Sequence, residues 1–416
     1  MLEFNFWFWW ALAAMVFFYK LELLSSLLNL SRLPSEPSHI TGSHDEESWE
    51  QLRDYITTKT KFDILQSSIS LGLLFAFWWG GGFGWLVNWV ESWRLNTLGT
   101  GLAFIGVIWL ATFLFGLPFE IWDTFGIEAR FGFNKTSAGT FIGDRIKTLL
   151  LTFVLGAPLL LTLLWLFEHV AYAALYGYLI FTAFTLLLSF LAPRFLLPLF
   201  YQFKPLEDET LKAAVMKLSE RLKFPVTEVS IIDGSRRSTK ANAFFTGFGK
   251  SRRIALYDTL VEKQNEQEIL AVLAHEIGHW NRRHVPKQMI LSFVTTGILF
   301  TLLHFALPSA ALSSAFGVNH AGTAWNLVFF LIVASPLSQL VGIISSWISR
   351  KFEFEADAFA KEAMHSGEPL ASALAKLDKD HMSHPCPHPM EVFLHYSHPP
   401  SSERLAALAI PHLTAA

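Results

Sequence analysis

AVLAHEIGHWNRRHVPKQMILSFVTTGILFTLLHFA, residues 271–306, places two patterns end to end. The first is His275-Glu276-Ile277-Gly278-His279, an HExxH motif. The second is an apolar run of about 20 residues, the length that crosses a bilayer as a helix. On a helix, residues i and i+4 share a face, so both imidazoles can reach one metal ion. Glu276 sits beside them, where it can take a proton from a metal-activated water. The competing reading is an amphipathic surface helix that happens to carry these polar residues. The preceding EILAVLA (268–274) is apolar, so His275 emerges from a buried helix, where unpaired polar groups are costly. The motif therefore reads as a zinc site.

Composition extends the second pattern to the whole chain. Of the 416 residues, 52% are hydrophobic and 16% charged, whereas soluble domains carry about one quarter charged residues. With 39 Phe and 15 Trp, there is more apolar surface than a soluble fold of this size can hide, so a lipid bilayer is expected as part of the solvent. A net charge of −3 gives no electrostatic footprint for nucleic acid, and no such partner is expected. The single cysteine, Cys386, rules out an internal disulfide and a cysteine-rich zinc cage.

Seven stretches qualify as spanning helices: 4–29, 65–90, 99–118, 148–167, 173–199, 287–307 and 325–349. The first has only Glu3 as an early charge and lacks the positive leading region of a signal peptide, so it reads as an uncleaved span. Gly80, Gly81 and Gly82 interrupt the second stretch and Pro158 the fourth. Such breaks fit either helix packing and kinking or a water-filled cavity. Lys and Arg alternate between sides. Arg32, Arg53, Lys59 and Lys61 follow span one, and Arg130, Lys135, Arg145 and Lys147 fall between spans three and four. The segments 200–286 and 350–416 are also basic, while the alternate connections hold only Arg94. The bias puts the amino terminus outside and both polar segments in the cytoplasm. The last residues, LTAA, carry no evident retrieval signal, which favours a bacterial inner membrane over endoplasmic reticulum.

Four parts result: 1–199 with spans one to five, 200–286 with the HExxH helix, 287–349 with spans six and seven, and 350–416. The 200–286 segment predicts a helix over EDETLKAAVMKLSERL, a strand over VTEVSIID, a hairpin over NAFFTGFGKSRRIALYDTL and a helix from about Glu266. The fold class is mainly α and multi-pass, with a cytoplasmic α+β metalloprotease part. HMSHPCPHPMEV (381–392) reads as a Pro-broken irregular loop.

A catalytic zinc takes three protein ligands and keeps an open position. Span seven runs into SSWISRKFEFEADAFAKEAM, which reads as one continuous helix, with Glu353 and Asp357 at i and i+4. Spans six and seven form a hairpin that returns to the side it left. His279 before the hairpin and Glu353 after it should therefore emerge together. Glu353 could also be an interfacial charge beside Arg350 and Lys351, and Glu355 is a rival ligand that faces elsewhere. His284 reads as an outer-shell or surface residue. His381, His384, Cys386 and His388 suggest a second metal site, but prolines break their spacing. His304 and His320 read as interfacial.

The motifs DGSRRSTKANAFFTGFGKSRRIALYDTL (233–260), AHEIGHW (274–280), RKFEFEADAFA (350–360), HYSHPPSSERLAAL (395–408) and FGFNKTSAGTF (131–141) together resemble the type 1 CAAX prenyl proteases and their bacterial relatives. That family consists of integral-membrane zinc metallopeptidases with seven spans around a chamber. The resemblance implies a zincin-like domain, one zinc per chain and a peptide or protein substrate that is prenylated or membrane-associated. It implies His275, His279 and Glu353 as ligands, Glu276 as catalytic base and Asp357 orienting a ligating histidine. Arg404 would pair with Asp357, and His398 would stabilise the oxyanion. Asn242 and Ala243 would lie on a strand edge that binds substrate as an added strand. Taken alone, His398 reads as a loop histidine and 242–260 as a hairpin packed on the active-site helix. Two rival functions are a transporter with a structural zinc and a catalytically silent scaffold. A structural site would fill all four positions and has no need of Glu276.

Overall fold

The computed structural model describes residues 2–33, 46–248 and 251–408. The turn of the expected hairpin (249–250) and the terminal LTAA lie outside the described residues. Among those described, seven helices are long and apolar enough to cross a membrane: Phe6–Ser31, Glu47–Trp79, Thr97–Glu128, Ala138–His169, Ala173–Phe200, His284–Ala306 and Thr323–Met364. By element these begin with α1 (Phe6–Ser31), α2 (Glu46–Trp79), α3 (Gly82–Glu91), α4 (Thr97–Ile121), α5 (Ala138–Leu151), α6 (Ala157–His169), α7 (Ala173–Leu191) and α8 (Leu197–Phe200).

The second span differs from the expected 65–90. Its helix ends at Trp79, Gly81 adopts φ 76°, and α3 starts a new direction at Gly82. A left-handed residue ends a helix, and glycine does so without a Cβ clash. Four of the ten α3 residues are buried, so the run 83–90 belongs to an apolar core at the end of the bundle rather than to the span. Pro158 is absorbed differently. A π-helical segment, Thr152–Gly156, directly precedes α6, so the hydrogen-bonding register of the span changes just before Pro158. The segments Trp122–Glu128 and Ala192–Leu196 are also π-helical.

The polar part after span five has β1 (Phe203–Pro205), α9 (Glu209–Arg221), β2 (Glu228–Ile232), β3 (Ala243–Phe248), β4 (Ser251–Tyr257), α10 (Asp258–Lys263) and α11 (Glu266–Asn281). The strand order is β1-β2-β4-β3. The expected hairpin is the antiparallel β3–β4 pair, and β2 pairs parallel to β4. This leaves β3 at the sheet edge. Spans six and seven are α12 (His284–Ala306) and α14 (Thr323–Met364), joined through α13 (Ala310–Ala315). The chain closes with α15 (Glu368–His381), α16 (Pro389–His395) and α17 (Ser401–Leu408). The loop expected over 381–392 thus contains the start of a helix: Pro389 occupies the first turn of α16 and the His388 side chain caps it.

The α12–α14 hairpin is fixed at its far end. Asn326 is fully buried, donates to the carbonyls of Leu307 and Ser309, and accepts from Ser313 Oγ. Phe316 stacks on Phe329 at 4.3 Å and on Trp78 at 4.8 Å between ring centroids. Such pairs each contribute about 1 kcal/mol beyond burial. At the near end, α11 packs along α14. Gly278 permits this, since a Cβ there would lie 3.1 Å from Ala356 Cα.

Candidate metal centre

Helix α11 starts with a capping box in which Asn265 accepts from the Glu268 N–H and Glu268 from the Asn265 N–H. Glu268 is 2% exposed and also accepts from Ser372 Oγ (2.6 Å) and Lys376 Nζ (2.7 Å) on α15. Burial raises its pKa, but these donors reverse that and hold it below the usual range. The helix carrying HExxH is therefore anchored one turn and more before the motif.

His275, His279 and Glu353 each offer a donor atom, and the three atoms lie within 4.8 Å of one another. The two Nε2 atoms are 3.1 Å apart. Glu353 places Oε2 at 3.3 Å from His275 Nε2 and Oε1 at 3.3 Å from His279 Nε2. Glu353 is 2% exposed, and its buried Oε2 accepts no hydrogen bond, although Arg404 Nη1 lies 3.6 Å away. A buried carboxylate oxygen without a partner needs an explanation. Three ligand atoms gathered within reach of one point provide it: two imidazole nitrogens and a carboxylate oxygen are a zinc-binding set with room for a fourth position. The residues fit the ion.

Behind His275 the contacts close. Its Nδ1 lies 2.8 Å from Asp357 Oδ1, and Arg404 donates to both oxygens of Asp357, Nε to Oδ2 at 2.8 Å and Nη2 to Oδ1 at 2.6 Å. Asp357 and Arg404 are buried, so each charge depends on the other. Burial disfavours charge on His275, but the Asp357 and Glu353 carboxylates outweigh it and lift its pKa to about 9. The contact that bears on ligation is the one at Nδ1, where Asp357 fixes the ring with Nε2 toward Glu353.

Glu276 and His398 line the same cavity, about 790 Å³ in volume, together with Asn242 and Ala243. Burial raises the Glu276 pKa, with His275 and His279 opposing. His398 Nε2 stands 3.4 Å from Glu353 Oε1, and its Nδ1 is 3.0 Å from Ser397 Oγ. Of the nine residues assigned roles by the resemblance, eight line this cleft, and Asp357 stands behind His275. Glu355, the rival ligand, turns away and pairs with His284 at 3.0 Å, an arrangement that sequence spacing did not show. The other histidine cluster does not assemble. His384 Nε2 bonds the Asn29 carbonyl, the His388 N–H bonds Asn29 Oδ1, and these contacts tie the loop to α1. Among the described residues, His275, His279 and Glu353 are the only group of three such donors. His320 pairs with Glu91.

Comparison with known proteins identifies the family. A family model described as the CAAX prenyl protease N-terminal region with five membrane helices matches residues 26–202, and one for peptidase family M48 matches 205–411. The CAAX prenyl protease 1 homolog of Arabidopsis thaliana is 32% identical, with 95% of each chain covered. CAAX prenyl protease 1 of Saccharomyces cerevisiae is 33% identical, covering 89% of this chain and 88% of its own. The crystal structure of S. mikatae Ste24p superposes with a TM-score of 0.90 at 29% identity, covering 98% of this chain and all of that one. Seven membrane-length helices, the convergent His-His-Glu set and these full-length matches place the chain in peptidase family M48, among the CAAX prenyl protease 1 homologues, as a membrane-embedded zinc metalloprotease.

Proposed function

We propose that one zinc ion per chain is held by His275, His279 and Glu353, and that this centre hydrolyses peptide bonds of prenylated or membrane-associated proteins. The observation that carries the reading is the convergence of two imidazole nitrogens and the buried Glu353 carboxylate within reach of one ion. Zinc, when bound, supplies Lewis acidity that activates water and polarises a carbonyl. Glu276 takes the proton of that water at its carboxylate and returns it to the departing amine. Its raised pKa suits both transfers. His398 donates from Nε2 to the developing oxyanion. Asp357, steadied by Arg404, holds His275 with Nε2 toward the cleft. An extended substrate would add to the β3 edge at Asn242 and Ala243, main chain to main chain. The relatives' names supply the prenylated substrate class. The transporter and silent-scaffold readings have no observation in their favour.

The four-part division of the sequence is proposed to be functional. Segments 200–286 and 350–416 form the protease unit, 287–349 joins them, and 1–199 supplies most of a membrane chamber. By the Lys and Arg bias the protease unit faces the cytoplasm. The bacterial inner membrane is the proposed location, although the relatives compared above are eukaryotic.

Glu276→Gln tests the mechanism: zinc content should stay at the wild-type level while peptide cleavage falls about a thousandfold or more. Undiminished cleavage would overturn it. The lone Cys386 tests orientation. A membrane-impermeant maleimide should label inverted inner-membrane vesicles and spare intact spheroplasts, and the reverse pattern would refute the topology.

A further inference from the structure

The two imidazoles of the centre are supported in different ways. His275 leans directly on a carboxylate, through Nδ1 and Asp357. Among the described residues, no carboxylate lies at that distance from Nδ1 of His279. Its Nδ1 instead lies 3.0 Å from Nδ1 of His284, and His284 Nε2 lies 3.0 Å from Glu355 Oε2. His284 is 1% exposed, and its ring stacks on Phe352 with centroids 4.1 Å apart and planes within 5°.

We infer that His284 and Glu355 form a positioning relay for His279, an imidazole inserted between a zinc-ligating histidine and its carboxylate. The proposal rests on His279 being a zinc ligand, as argued above. Proton placement makes the relay self-consistent. A ligating Nε2 must be free of hydrogen, so the neutral His279 ring carries its proton on Nδ1 and donates to Nδ1 of His284. His284 Nδ1 must then be the acceptor, which puts its proton on Nε2, facing Glu355 Oε2. Each nitrogen and the carboxylate therefore has one role, and no other arrangement of two neutral rings satisfies both contacts.

The backbone is shaped to allow this. Between α11 and α12, Arg283 adopts φ 55° and ψ 40°, a left-handed conformation that is unfavourable for a non-glycine residue. The reversal brings His284, five residues on, back against the His279 ring. Strain held at such a point is characteristic of functional sites. Phe352 precedes the ligand Glu353, and Glu355 follows two residues later, so one turn of α14 supplies a ligand to the centre, the platform for His284 and the end of the relay.

The test is zinc affinity of the full-length protein in detergent, measured by competition with a chromophoric chelator. His284→Phe keeps the stack on Phe352 and removes the hydrogen bonds. Its zinc dissociation constant should rise about 10- to 100-fold, the range for lost outer-shell partners. Glu355→Ala, at a half-exposed side chain, should raise it about tenfold with the thermal midpoint of the zinc-stripped protein unchanged. The Glu355→Ala change should add nothing in the His284→Phe background, because both act on zinc through the one contact to His279. His279→Ala is the control. If His279→Ala loses zinc while the other two variants bind like wild type, the relay is wrong and the metal assignment stands. If His279→Ala itself binds zinc like wild type, both are wrong.

Discussion

Spans two to five and the α11–α14 pair are helices placed against different surroundings. Between 6% and 11% of the most apolar windows of spans two to five is buried inside the protein, against 28% in span seven. Ile142, Phe153 and Leu187 are each more than half exposed, which only an apolar environment tolerates along a whole span. On α11, by contrast, Ile269, Ala271, Leu273, Ala274 and Ile277 are almost fully buried, and its polar side chains are tied to α14, α15 and α17. The first region asks lipid or a chamber to cover it and tolerates π turns and prolines. The second is packed like a soluble core and depends on individual contacts.

The contrast is breakable by substitution, most severely at the buried charges. Arg404→Ala leaves Asp357 buried and short of its bidentate partner, which typically costs about 3–5 kcal/mol. The expected result is a markedly lower thermal midpoint of the detergent-purified protein, together with weaker zinc binding because Asp357 no longer holds His275 firmly. A midpoint equal to wild type would show that the pair is not the keystone drawn here.

A smaller and more selective effect is expected from two glycines. Gly278→Val inserts methyl groups where even a Cβ sits 3.1 Å from Ala356 Cα. Overpacking of this kind costs about 1–3 kcal/mol, and separating α11 from α14 should also move Glu353 away from the histidines and lower zinc content. Gly106→Val in α4 meets nothing within 4 Å and should leave zinc content and cleavage unchanged. Equal damage from both would erase the distinction between the regions.

What the sequence disclosed follows the same division. Spans are legible because length and apolarity suffice, and the HExxH and ExxxD spacings are legible because i and i+4 share a face. The second span ends at Trp79 rather than at residue 90 because the run 83–90 is as apolar as a span, and only the left-handed Gly81 separates them. Strand β1, three residues ending in Pro205, has no periodicity to read. The helix after His388 carried a readable signal, a proline in its first turn, which the neighbouring prolines obscured. The contact of His284 with His279 depends on the backbone reversal at Arg283 and on Phe352, distant in sequence, so no local pattern contains it. Residue types and spacings reveal which groups do the chemistry; the groups that hold them in place are set by tertiary packing.

X-ray absorption at the zinc edge of the purified full-length protein addresses the centre most directly. The account predicts two imidazole nitrogens at about 2.0–2.1 Å and oxygen at about 2.0–2.2 Å, with the carboxylate contribution lost in Glu353→Ala. A sulfur scatterer near 2.3 Å, or a spectrum that Glu353→Ala leaves unchanged, would contradict it.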